Sequence, residues 1–261
     1  INDGSDIYDS SGYEFREVYF ENTTTEDVDL GGGTDFTREL DWGPFEGALK
    51  AGGLYRQKNR SNQRLRPTYT GFSGPYTLNQ VEASDPVGRI VHDRYEIGAT
   101  PDADRIRDHF SNNGNQYVFD ANRSQMDSES DNYEAFESVT SGYLATEGRW
   151  NRLWAQVGVR LEQTQTDTTG NQVVSDDQGA FLFTRKQRAL NDYVNFFPTL
   201  EARYQISNGL QIRGGWYTAM ARPNYFDLAP YQRISPTSLT IRQGNPNLSP
   251  VEYQNFILAI D

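Results

Sequence analysis

Apolar and polar residues alternate along much of this chain. In 153–161, Leu153, Ala155, Val157, Val159 and Leu161 share one face, and Trp154, Gln156, Gly158 and Arg160 share the other. Glu162 and Thr164 continue the second face. A period of two sustained this long predicts a β-strand. The stretch 194–206 repeats it, with Val194, Phe196, Leu200, Ala202, Tyr204 and Ile206 opposed by Asn195, Thr199, Glu201, Arg203 and Gln205. Read this way, the chain predicts about eight strands, over 11–21, 34–42, 46–59, 134–149, 153–166, 192–206, 210–222 and 251–261.

The connections alternate between short and long. Tight turns are expected at Gly43-Pro44-Phe45, Asn151-Arg152 and Asn208-Gly209, the last with the residue pair a type I′ hairpin prefers. Long polar stretches lie around 22–33, 60–133, 166–191 and 223–250. Short turns at one end and long loops at the other describe a membrane β-barrel wall. Several strands run to about 14 residues, whereas a tilted strand crosses a bilayer in about 9–11. The surplus predicts walls that project beyond the membrane. Trp42, Trp150 and Tyr204 stand near the turns, where such barrels carry aromatic girdles.

Composition sharpens this. Only 36% of residues are hydrophobic and the net charge is −12, which by itself suggests disorder. Yet 16 Tyr, 14 Phe and 4 Trp are too many aromatics for a disordered chain. A wall with one wet face reconciles the two, because only alternate residues must be apolar. There is no cysteine, hence no disulfide framework and no thiolate metal site. The acidic balance argues against nucleic acid as a partner. The chain begins at Ile1 without a leader and stops within a strand-like run, so it reads as a piece of a longer polypeptide.

Two residues strain the pattern. Arg38 shares a face with Phe36, Leu40 and Trp42, which requires a register shift or a place near an interface. Pro198 lies mid-strand, cannot donate a ladder hydrogen bond, and predicts a bulge. The 60–133 stretch is too long for a structureless loop. It predicts a short helix at 102–110 and small strands at 69–72 and 117–119, folded over the barrel mouth.

Catalytic signals are weak. With 36 Asp and Glu, carboxylate pairs arise by chance and argue for no glycosidase. His92 and His109 lack any metal-ligand spacing and read as surface loop residues. Asp127, Glu129 and Asp131 alternate like part of a calcium loop but lack its glycine and later glutamate. Gly31-Gly32-Gly33 carries no phosphate-loop context and reads as flexible loop. No catalytic residue, metal ligand or cofactor is expected.

The C-terminal third is more specific. Ala221-Arg222-Pro223-Asn224-Tyr225-Phe226-Asp227-Leu228-Ala229-Pro230 and Gly244-Asn245-Pro246-Asn247-Leu248-Ser249-Pro250 resemble paired segments of TonB-dependent outer-membrane receptors, in a proteobacterial subgroup rich in them. Tyr133 to Glu137, Gly142-Tyr143, Gly158 to Glu162 and Phe197 to Tyr204 resemble the same family. The likeness spans about 134–261 and is loose over 1–60.

The resemblance implies an all-β, antiparallel up-and-down transmembrane barrel. This chain would be the C-terminal-side part, without the plug domain and last strands, and 60–133 would be an extracellular loop insertion. It implies a non-enzymatic receptor in the Gram-negative outer membrane. Its partners would be lipid, a small nutrient (carbohydrate favoured over siderophore iron), and the TonB complex through the missing plug. Family-motif positions here are Ala221, Arg222, Pro223, Asp227, Leu228, Pro230, Gly244, Asn245, Pro246, Leu248 and Pro250. Their prolines and glycine predict a shaped return from loop to strand. Ligand contact is expected from Tyr225, Tyr231 and Arg233 at the mouth and from Arg160, Arg203 and Arg213 in the lumen. The rival reading pairs these arginines with Glu162, Glu201 and their neighbours across strands. The rival function is a soluble, secreted all-β carbohydrate-binding or hydrolytic module.

Overall fold

The computed structural model describes residues 9–84, 89–90, 95–96, 98–235 and 239–261. In chain order its strands are β1 (Val18–Tyr19), β2 (Asn22–Trp42), β3 (Phe45–Leu65), β4 (Thr68–Phe72), β5 (Arg89–Ile90), β6 (Tyr95–Glu96), β7 (Tyr117–Phe119), β8 (Tyr133–Trp150), β9 (Leu153–Ser175), β10 (Phe181–Ser207), β11 (Leu210–Ala221), β12 (Gln232–Ser235), β13 (Thr240–Gln243) and β14 (Val251–Ile260). The helices are α1 (Ala103–Asn113), α2 (Ala121–Glu129) and α3 (Tyr225–Leu228). The chain divides into two compact units, 1–22 with 65–128 and 23–64 with 129–261.

The larger unit is an up-and-down sheet in the order β14-β11-β10-β9-β8-β3-β2. The β12–β13 hairpin joins it by parallel pairing of Gln232 with Gln172 and Arg233 with Val173 on β9. Its register places residues in cross-strand rows. One face carries Phe45–Trp150–Leu153–Tyr204–Ile212–Ile260, then Leu49–Thr146–Val157–Leu200–Trp216–Phe256, then Gly53–Gly142–Leu161–Phe196. Beyond these rows the same face becomes mixed, with Thr140–Gln163–Val194, and then polar with Gln165 and Asp192. The apolar band from Leu153 to Leu161 is about nine residues deep, enough for one tilted bilayer crossing.

The two faces are inverted relative to a soluble protein. Leu161 is 53% exposed and Phe256 is 76% exposed, while Glu162 is 5% exposed and Thr164 is fully buried. Water would penalise such a bare apolar surface, which is far wider than the patches soluble monomers expose. No second layer covers it among the described residues, and such a face suits lipid better than water. The apolar face is the lipid face, and the polar face lines the lumen.

Several expectations need correction. The stretch 11–21 is no wall strand. It holds only β1, paired with β4, because Phe15 and Phe20 turn into an aromatic cluster of the smaller unit. Residues 22–33 and most of 166–191 are strand rather than loop. Gly31-Gly32-Gly33 lies inside β2, where a Cβ on Gly33 would sit 2.8 Å from the Gly53 carbonyl oxygen on β3. Once the wall leaves the membrane its outward residues need not be apolar, but ladder hydrogen bonds persist. Outward Gln163, Gln165 and Asp167 then carry no hydrophobic signal, while the buried lumenal threonines 164, 166 and 168 keep strand propensity.

Pro198 causes no bulge. It pairs in continuous register with Val159 of β9, and pairing of β10 with β11 starts only at Thr199 and Tyr217. The proline therefore lies just beyond that ladder, where a missing donor costs little. The Asn208-Gly209 turn is not type I′, since neither residue has positive φ. Its register shifts between Gln205 and Ser207, and Gln205 Nε2 donates to the Ser207 and Leu210 carbonyl oxygens. Positive φ appears instead at Gly43 (70°) and Asn151 (53°), in the other two short turns. Arg38 is exposed on β2, the end strand of the sheet path. The side chain of Trp42 lies outside the described residues.

The smaller unit has its own core. Sheet β1-β4-β7 packs with α1 around Tyr76, Val81, Tyr117, Phe15, Phe72 and Phe110. Asp102 caps α1, accepting from the Asp104 and Arg105 amides at 2.9 Å each. This is the ordinary N-cap solution for orphan donors. His109 on α1 is no loop histidine. Its ring stacks on Tyr76 at 4.3 Å, and its Nδ1 lies 2.8 Å from the Tyr117 hydroxyl. His92 lies outside the described residues.

Candidate functional site

The lumenal face of the larger unit concentrates charge. Arg56, Lys58 and Arg60 alternate along β3, and Asp27 on β2 meets Lys58 at 3.5 Å and Arg60 at 3.0 Å. Deeper in, β8 contributes Glu137 and β9 contributes Glu162, which are 2% and 5% exposed. Arg222, at the first residue past β11, reaches both. Its Nη2 contacts Glu162 Oε1, and its Nε lies 3.6 Å from Glu137 Oε2. Arg160 Nη2 donates to Glu162 Oε2 at 2.7 Å, and Arg56 Nη2 donates to Glu137 Oε1 at 3.3 Å. Two buried carboxylates are thus balanced by three guanidinium groups. Arg222, the least exposed of the three, is the partner whose removal comes nearest the about 3–5 kcal/mol of a broken buried pair.

The return segment after β11 closes on this cluster. Asn224 caps α3, accepting from the Phe226 amide at 3.2 Å. The Tyr225 hydroxyl then donates to Glu137 Oε1 at 3.1 Å. Burial, and next the Glu137 charge, push the Tyr225 phenol above its ordinary value. It stays a protonated donor throughout the physiological range.

The two motif segments knit together. The Asn245 amide donates to the Asp227 carbonyl oxygen at 2.7 Å, and the Gly244 amide donates to Tyr231 at 3.1 Å. A Cβ on Gly244 would overlap the Ala229 carbonyl oxygen, so only glycine fits there. Leu228 and Ala229 are buried, and Thr168 Oγ1 donates to the Leu228 carbonyl oxygen at 3.3 Å. Pro246 accepts from Asn191 Nδ2 at 3.1 Å, and the Leu248 amide donates to Asn245 at 3.2 Å. Ala221 ends β11, Pro223 precedes the Asn224 cap, and Pro250 immediately precedes β14. Pro230 leads into Tyr231, whose amide would lie 2.7 Å from a Cβ on Gly170 of β9.

The expected ligand residues are dispersed. Tyr225 belongs to the buried cluster. Tyr231 is enclosed, with its ring stacked on Phe226 at 4.4 Å and packed near Tyr133 and Ala135. Arg233 sits on β12 opposite Arg242. Arg160, Arg203 and Arg213 each meet a carboxylate: Glu162 at 2.7 Å, Glu201 at 2.7 Å and Asp261 at 3.5 Å. The first two pairs run along a single strand, two residues apart, rather than across strands. Asp127, Glu129 and Asp131 do not converge. Arg123 lies 3.7 Å from Asp127, Asn171 donates to Glu129 at 2.7 Å, and Arg64 binds Asp131. Among the described residues no cluster of metal-ligating side chains occurs.

Sequence reasoning missed Glu137, Arg56 and Asn195 as members of the site. Asn195 Nδ2 donates to Glu252 Oε1 at 2.7 Å. The usable signal was the period-two charge run Arg56, Lys58, Arg60, which marks a wet strand face.

Residues 94–260 match the outer membrane protein beta-barrel family. The chain belongs to that family. It is an outer-membrane β-barrel wall of a Gram-negative cell, and its inverted faces suit a wall between lipid and lumen. No curated protein matches it. Among solved structures it is similar to the ferric citrate transporter FecA in the unliganded form, with 11% identity and TM-score 0.49 over 93% of this chain and 26% of FecA. It is also similar to a double mutant of the Serratia marcescens hemophore receptor HasR in complex with its hemophore HasA and heme. That match has 12% identity and TM-score 0.38, over 94% of this chain and 39% of HasR. The chain thus spans about a quarter to two fifths of these receptor chains.

Proposed function

We propose that the chain is the C-terminal-side wall of a TonB-dependent receptor that binds a scarce nutrient outside the cell and imports it. The carrying observation is the face inversion of the larger unit, apolar toward lipid and charged toward the lumen. The interlocked segments 221–230 and 244–250 support the family reading, because their resemblance to receptor segments has a packing counterpart. In this reading residues 60–133, which leave β3 and return to β8 at the ends away from the short turns, form an extracellular insertion. A plug domain on the rest of the polypeptide couples to TonB. No step here calls for an enzyme.

The favoured ligand is a carbohydrate, with siderophore iron as the alternative. Paired guanidinium and carboxylate groups offer the donors and acceptors that hydroxyl-rich ligands match. The test is binding of an oligosaccharide panel and a ferric-chelate panel to the full-length receptor in detergent, alongside uptake with and without TonB. Saturable binding of one panel with TonB-dependent uptake is expected. Passive, unsaturable flux independent of TonB would make the protein a simple porin instead.

A further inference from the structure

A cavity of about 380 Å³ opens beside the short turns at 151–152 and 208–209 of the larger unit. The chain carries a net charge of −12, yet the lining holds Arg149, Arg152 and Arg203 and no carboxylate. Two of the three guanidinium groups are already oriented. Arg203 donates from Nε and Nη2 to Glu201 Oε1, at 2.9 and 2.7 Å, and lies over the Trp154 ring at 4.5 Å. Its Nη1 is left for another acceptor. Arg152 donates from Nη1 to the Ile206 carbonyl oxygen at 3.0 Å, leaving Nε and Nη2. Among the described residues no ion pair engages Arg149, and Glu46 faces it across the β3–β8 ladder. The amide side chains of Gln205 and Gln211 complete a polar wall.

We propose that this turn-end cavity binds an oxyanion group, a carboxylate or a phosphate. Planar guanidinium forks suit such groups, and prior orientation by Glu201, Trp154 and Ile206 lowers the ordering cost. The cavity adjoins the row Trp150–Leu153–Tyr204, where the apolar band ends. The group therefore comes either from a free small anion or from the headgroup of a lipid in the adjacent leaflet. The proposal depends on the wall geometry alone and not on the imported nutrient.

The test is calorimetric titration of the full-length protein, in a neutral detergent, with inorganic pyrophosphate against sodium chloride at matched ionic strength. Saturable pyrophosphate binding is expected, weakened at least tenfold by Arg149→Gln and by Arg152→Gln. Arg188→Gln, on the opposite face, leaves it unchanged. Repeating the titration in nanodiscs separates the sources. Competition by phosphatidylglycerol but not phosphatidylcholine identifies the lipid headgroup, and no competition identifies the free anion. Absence of saturable binding, an equal response to chloride, or full affinity in both arginine variants overturns the proposal.

Discussion

The Tyr225 hydroxyl donates to Glu137 across 3.1 Å, joining the start of the return segment to the middle of the lumenal wall. These residues lie 88 positions apart in sequence. Glu137 accepts there while also facing Arg56 and Arg222, so the contact belongs to a charge-assisted set. Tyr225→Phe keeps the ring and removes the donor. It is expected to cost about 1.5–3 kcal/mol, the range for a hydrogen bond to a charged group. Hydrogen exchange over 223–230 in the refolded protein checks this: exchange should accelerate there and stay unchanged in α1.

Gly244 is fixed by its approach to Ala229. Gly244→Ala forces the two segments apart and should cost about 1–3 kcal/mol, as overpacking does. Limited proteolysis then finds new cleavage within 223–250, while the short turns stay resistant. Asn247→Ala, which removes no contact at Ala229, serves as the comparison.

The lipid face predicts a depth-dependent penalty. Val157→Arg, in the middle apolar row, should destabilise the barrel by about 2–4 kcal/mol. Gln163→Arg, just beyond the band, should cost about 0–1 kcal/mol. Urea-induced unfolding from lipid vesicles measures both. Equal costs would remove the band from this position.

The smaller unit responds to acid. Burial holds the His109 imidazole below its ordinary value of 6.5. The unfolded chain therefore binds that proton more tightly than the folded unit. Stability is full above about 6.5 and falls as the pH drops through that value toward the lower folded-state pKa. The Tyr117 hydroxyl, held above its ordinary value by burial, stays protonated beside Nδ1. Melting of the smaller unit at pH 8 and pH 5 should differ, and His109→Phe should abolish most of that difference.

How much of this was legible in the sequence depended on distance. The row from Leu153 to Leu161 was readable because lipid demands an apolar residue at every second position. The wall beyond residue 166 was not, since water accepts any residue there and only the ladder holds the strand. Phe15 and Phe20 gave the same local signal as wall residues, and nothing nearby revealed their aromatic partners at 69, 76 and 110. The motif residues were visible as words, but the contact of Gly244 with Ala229 needed the fold. The ion cluster was least legible, because Glu137 and Arg222 meet only after three further wall strands have been laid between them.

The central claim is that alternate residues of β9 face lipid and lumen. This chain has no cysteine, so a single cysteine introduced in it is its sole labelling site. The direct measurement is nitroxide accessibility to oxygen and to a water-soluble nickel chelate at each position from 153 to 167, in lipid vesicles. Oxygen access should peak at 153, 155, 157, 159 and 161, with nickel access at 154, 156 and 158, and the oxygen peaks should vanish from 163 onward. Nickel access at both odd and even positions between 153 and 161 would contradict a lipid-facing wall.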